Sequence, residues 1–92
     1  MSLKKSITIF REFDPYMPSQ QIDLLLALYL YAPMRSGELQ IQCDMQKPAC
    51  SRNLISLEEK GLVTMIAADP NDLRTKDIQL TKLGRELVES AV

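Results

Sequence analysis

A guanidinium holds its N–H donors in a planar fork that fits the edge of a guanine or two phosphate oxygens. Arg52 carries such a fork in the stretch PACSRNLISLEEKGLV, where Cys50, Leu54 and Leu57 recur at helical spacing and leave Arg52 on another side. A helix opening at Pro48 puts Lys47 and Ser51 near its start, where phosphate and base contacts are made. Ser56 lies a turn beyond Arg52, also displaced from the apolar face toward flank or solvent. The free amides near Pro48 add the positive end of a helix dipole. The competing reading of Arg52 is a solvated side chain that pairs with Glu59 or with nothing.

The remaining reactive groups exclude more than they propose. The chain has no histidine, so the commonest general base is missing and no Ser–His or Cys–His pair can form. Its three glycines are isolated and build no phosphate loop. Cys43 and Cys50 lie seven positions apart without a CxxC, and zinc would need two further soft ligands. Two cysteines filling small spaces in a reducing compartment is the simpler account. No enzyme, cofactor or metal is expected. A net charge of −1 and a pI near 5.3 count against a broad basic surface that coats nucleic acid, while leaving room for a local cationic spot.

The elements that must position these groups fit within one expected domain spanning 1–92, with a mainly aliphatic core because only Phe10, Phe13, Tyr16, Tyr29 and Tyr31 are aromatic. Leu3, Ile7 and Phe10 mark an N-terminal helix within 1–14, although SITIF also alternates like a strand. Asp14, Pro15 and Pro18 end it. Ser19 is expected to cap a second helix running to Pro33, with Ile22, Leu25, Leu26, Tyr29 and Leu30 as its apolar face. Leu24 and Leu28 make that helix nearly apolar all round, which places it centrally. Its run LLLALYLYA is too short to cross a bilayer, and the start MSLKKSITIF lacks the apolar region of a secretory signal. No membrane partner is expected, and the cytoplasm is the default location.

Beyond Pro33, Ser36 is expected to cap a short helix over 36–44, with Leu39 and Cys43 inward. The turn MQK leads to a helix over 48–60, stopped by Gly61. LVTMIAA and TKDIQLT then read as strands of a hairpin over 62–81, joined by the turn formers DPNDLR. Ile78 and Leu80 face one side of it, and Asp77, Gln79 and Thr81 the other. Thr81 caps a last helix over 82–92 with Leu83, Leu87, Val88 and Ala91 on one face.

Two short helices at 36–60 followed by a hairpin outline a winged helix-turn-helix, an α+β and mainly α fold. Its second helix can enter a DNA major groove while the wing reaches the backbone or the minor groove. Such folds also serve as protein-interaction modules or adaptors, and fold alone does not choose between the uses.

The residues CSRNLISLEEKGLV and DPNDLRTKDIQLTKLGREL resemble the recognition helix, wing and following helix of the multiple-antibiotic-resistance regulator (MarR) family. The match in register comprises Ser51, Arg52, Leu57, Glu58, Gly61, Leu62, Asp69, Pro70, Asp72, Arg74, Lys76, Leu80, Thr81, Gly84 and Arg85. It is good over 36–88 and weaker over 19–35. Two places depart from the family pattern. Leu73 stands where a first arginine is common, and Pro48 and Ala49 stand where polar residues are usual.

The resemblance implies a sequence-specific regulator of transcription that binds double-stranded DNA. It implies that Arg74 reaches the minor groove with Asp72 orienting its guanidinium, against the local alternative of an Asp–Arg pair that only shapes the turn. Lys76 would meet phosphate or nothing. Family members are longer and dimerise through extended terminal helices. A homodimer through the first and last helices is therefore expected here, with Ile7, Phe10, Leu87 and Val88 offering surface, and a small-molecule effector is not.

Overall fold

Helical spacing of apolar residues governs five segments and alternation governs two. The order is α1 (Leu3–Phe13), α2 (Ser19–Tyr31), α3 (Ser36–Gln42), α4 (Lys47–Glu59), β1 (Val63–Asp69), β2 (Asp72–Leu80) and α5 (Lys82–Ala91). The structure, a computed structural model, describes the backbone of residues 3–92 and the side chains of 8–71 and 75–92. Among the described residues, five helices and one antiparallel hairpin make the mainly helical winged fold expected from the sequence.

The segment SITIF is helical, and α1 packs along α5 with Phe10 fully buried. Asp14 then turns the chain, accepting the Tyr16 amide on its carboxylate at 3.0 Å. The cap of α2 falls one residue earlier than expected. Pro18, extended at ψ 148°, is the N-cap, and its carbonyl accepts the amides of Gln21 and Ile22, so Ser19 is already helical.

The buried side of α2 also differs. Ile22, Leu24, Leu25, Ala27 and Leu28 are inside, whereas Leu30 is 67% exposed and Tyr29 lies at the rim. The reason is that α2 touches α3, α4, α5 and β2, so the Leu24–Leu28 ridge, rather than the widest apolar stripe, faces the most neighbours.

α3 is shorter than the expected 36–44. Arg35, not Ser36, is its N-cap, and the Arg35 amide donates to the Glu38 carboxylate at 3.0 Å. Asp44 takes the left-handed conformation at φ 51° and ends the element. Lys47, expected in the turn, is the first residue of α4, with Pro48 inside the first turn. Cys50, Leu54 and Leu57 face inward as expected.

At the other end Gly61, at φ 78°, donates to the Glu58 carbonyl, and Leu62 N–H reaches back to Leu57. That pair of bonds closes a helix through a left-handed residue, with the side chains of Leu57 and Leu62 both fully buried.

The turn of the hairpin is tighter than the expected DPNDLR loop. Only Pro70 and Asn71 lie between the strands, because the Asp69 carboxylate accepts the Asn71 amide at 2.9 Å. Asp72, Leu73 and Arg74 therefore belong to β2. Asp69 pairs with Asp72 and Ala67 with Lys76, so β2 carries extra residues and bulges.

Ile78 is buried on the inner face and pairs with Met65, while Leu80 packs partly against the core. A contact the linear pattern did not show adds a third strand position: Met34 exchanges two backbone bonds with Ile78, at 3.1 and 2.8 Å.

Thr81 caps α5 as expected. Its hydroxyl accepts the Gly84 amide at 3.0 Å and donates to the Gly61 carbonyl at 2.6 Å. Phe10 and Val88, expected to serve a second copy, are wholly buried inside this one and offer it no surface. The side chain of Ile7 lies outside the described residues.

A polar chain holds α4 against α1 and α2. Lys60 Nζ lies 2.6 Å from Asp14 Oδ2 and donates to Gln21 Oε1 at 2.6 Å. Gln21, buried although polar, donates to Asn53 Oδ1 at 3.2 Å, and Asn53 donates to Gln20 Oε1 at 3.0 Å and to the Ala49 carbonyl at 2.9 Å. The Lys60 hydrogen bond, followed by the Tyr16 amide, holds the Asp14 carboxyl below its ordinary range.

Two outcomes follow for stability. A group whose carboxyl is depressed in the folded state stabilises it above the unfolded value of about 3.9 and loses that contribution as pH falls through the lowered value. Urea midpoints of Asp14→Asn should therefore lie below those of the unsubstituted chain at neutral pH, with the gap closing below pH of about 4. Gly84 is a second weak point, because an added Cβ would collide with the Leu62 carbonyl oxygen. Gly84→Ala should cost about 1–3 kcal/mol in the same titration despite the better helix propensity of alanine.

Candidate nucleic-acid interface

The inward stripe Cys50–Leu54–Leu57 fixes which side of α4 meets solvent. Arg52 and Lys47 are exposed, and Ser51 and Ser56 are half-buried at the two margins of the outward strip. Residues spaced three and four apart share a helix face. By that rule Ser51, Ile55 and Glu58 form the margin toward the hairpin, and Ala49, Asn53, Ser56 and Lys60 the margin toward α2. Arg52 stands between them, pointing away from the body.

Between α4 and the hairpin lies a groove of about 750 Å³, floored by Leu54, Met65 and Ile78 and walled by Ile41 and Ile55. Lys76 is exposed at its rim on β2, so the structure brings Ser51 and Lys76 to the same groove. Arg52 and Ser56 do not line it. The side chains of Asp72 and Arg74 lie outside the described residues. Their backbone belongs to β2, at the end of the wing next to its turn.

Electrostatics separate structural charges from available ones. Among the described residues the ion pairs are Lys60–Asp14 and a loose surface pair, Arg35–Asp77 at 3.8 Å. Arg52, Lys47 and Lys76 make no ion pair among the described residues, and the pairing of Arg52 with Glu59 is not formed. The first pair orients α4. The second is worth well under about 1 kcal/mol at such exposure.

Arg35 is a cation that the sequence reading missed. It caps α3, stands at the groove rim and reaches toward the wing. Its signal was the Arg-Ser-Gly-Glu step, legible only once Glu38 is known to bond the Arg35 amide. Ile41 was also missed as a surface residue, at 85% exposure, whereas Ile55, off the apolar face by its spacing, is 52% exposed as that spacing implies.

The cysteines behave as core fillers. Cys43 is half-buried and Cys50 buried, both are free, and burial raises both thiols above their ordinary range. No group of described residues gathers three potential metal ligands, and no described helix is long and apolar enough to cross a membrane.

No family model matches the chain. It is 34% identical over 71 residues to the uncharacterised HTH-type transcriptional regulator YdgJ of Bacillus subtilis (strain 168), covering 77% of this chain and 43% of that one. Another uncharacterised HTH-type transcriptional regulator, from Bacillus anthracis, is 30% identical over 91 residues, covering 99% of this chain and 58% of that one. The chain thus spans about half the length of the curated relatives it matches.

Among solved structures, the Staphylococcus aureus MepR–DNA complex superimposes with a TM-score of 0.81 at 28% identity, over 95% of this chain and 69% of that one. The Thermotoga maritima regulator Tm0710 does so with a TM-score of 0.83, also at 28% identity, over 96% and 60%. The helix–helix–hairpin geometry and these likenesses agree: this chain has a winged helix-turn-helix fold similar to that of MarR-type regulators.

Proposed function

We propose that residues 1–92 form one winged unit that reads double-stranded DNA within a sequence-specific transcriptional regulator. In this reading α4 enters the major groove and the hairpin lies at the minor groove. The observation that carries it is the exposed Arg52, without an ion-pair partner among the described residues, on the outward strip of a helix whose other sides are anchored. Lys47 and Ser51 meet the first phosphates and bases, Ser56 flanks Arg52, and Lys76 and Arg74 supply the wing's cations, with Asp72 shaping it. The relatives being transcriptional regulators, no catalytic role is assigned.

Magnitudes favour two copies. About two to four phosphate contacts per subunit leave a single copy weak, whereas two half-sites about one helical turn apart reach specific affinity. The surface for pairing is Phe13, Tyr16 and Leu83, exposed on or beside the terminal helices, in place of Phe10 and Val88. The net charge of −1 keeps non-specific binding low, so specificity rests on base contacts. A cytoplasmic location follows from the role.

Fluorescence anisotropy against genomic fragments across a salt series tests the reading. Log affinity should fall linearly with log salt, and Arg74→Ala or Lys76→Ala should each make the slope shallower by about 1 for each subunit bound. Arg52→Ala should cost about 1–3 kcal/mol on the specific site and less elsewhere. If no fragment binds at about 50 mM salt, where phosphate contacts are strongest, the winged fold serves a protein partner instead.

A further inference from the structure

Ile55 walls the groove beside the hairpin yet leaves half of its surface to solvent. It sits on α4 with 52% of its surface in solvent, outside the stripe of Cys50, Leu54 and Leu57 that anchors the helix. A β-branched residue lowers helix propensity, and at an exposed site packing returns little for it. Its helical neighbours one turn back are Ser51 and Arg52, the two residues best placed for base edges. One turn further on come Glu58 and Glu59, exposed carboxylates that phosphates repel, so the readable part of α4 closes at Ile55.

In a major groove lined by hydrogen-bonding groups, the apolar feature is the C5-methyl of thymine. We propose that Ile55 is a specificity-determining residue that packs against a thymine methyl in each half-site. This rests on the DNA-reading role proposed above. Pro48 to Ile55 rises about 10 Å along the helix, the height of about three base pairs, so the thymine lies within that distance of the base or phosphate met by Arg52. Ile41, on the far wall of the same groove, is on α3 rather than on this strip and is not assigned a base.

Replacing thymine by deoxyuridine removes only the methyl group and tests the contact directly. A duplex chosen by the unsubstituted chain from random DNA would be remade with each thymine changed in turn, and its affinity measured by anisotropy for that chain and for Ile55→Ala. The expected result is a loss of about fourfold at one thymine per half-site, the worth of one buried methyl. Ile55→Ala should bind the parent duplex more weakly and treat the two bases alike. Thermal melting of the variant, unchanged for an exposed position, shows that folding is not the cause.

Specific binding without any thymine whose methyl matters beyond about twofold overturns this inference and leaves the regulator reading intact. So does an Ile55→Ala chain that still discriminates. Failure to select any duplex overturns both.

Discussion

A two-stranded hairpin in water is marginal by itself, and β1–β2 keeps its place because Ile78 is driven into the body of the protein. Burial of that side chain contributes about 2–3 kcal/mol, and its backbone is paired on both sides, with Met65 in β1 and with Met34 beyond. The Met34 bridge matters most for geometry. It ties the chain just before α3 to β2 near the root of the wing, so the start of the helix pair and the hairpin share one frame. Without it the groove beside α4 would have one fixed wall and one loose wall. The cations of α4 and of the wing could then not be presented at a set separation.

The same logic explains the polar chain from Asp14 to Asn53. The apolar stripe of α4 resists withdrawal of the helix from the core but resists rotation about its own axis poorly, since aliphatic packing has little directionality. Hydrogen bonds have it. Asn53 and Lys60, on the margin of α4 toward α2, are clamped to Gln20, Gln21 and Asp14, and this sets the roll that leaves Arg52 outward. Charges thus divide by task. Lys60 serves orientation and is half-buried, while Arg52 and Lys47 are exposed on the same helix.

Features decided within a few residues were legible in the sequence. The threonine cap of α5, the left-handed Gly61 stop and the Cys50–Leu54–Leu57 stripe depend on neighbours one turn away, and each is where the pattern put it. What needed a distant partner was not legible. Met34 reads as loop because its strand partner is Ile78, and the buried side of α2 depends on which elements surround it. Ser19 and Ser36 are good caps by type, yet Pro18 and Arg35 hold those positions because extended backbone and, at α3, the Glu38 carboxylate suffice. The turn shrank to Pro70 and Asn71 because Asp69 bonds locally, an option open to any of the aspartates in DPNDLR. Of the candidate interface, Arg52, Ser51 and Lys76 stand on the expected elements and Lys47 has moved from the turn into α4, whereas Arg35 needed the groove to be seen.

At Gly84 the backbone of α5 rests on the backbone at the root of β1, with no side chain between them to yield. Such a joint behaves as a rigid pivot. Ile78 holds the arm beside that joint, and the six residues of β2 from Asp72 to Asp77 extend roughly 20 Å beyond it at about 3.3 Å per residue, so a tilt of about 5° carries the far end of the arm about 1.7 Å. That displacement is comparable to the reach of a hydrogen bond, which makes the inclination of the last helix a lever on whatever the tip of the arm can touch.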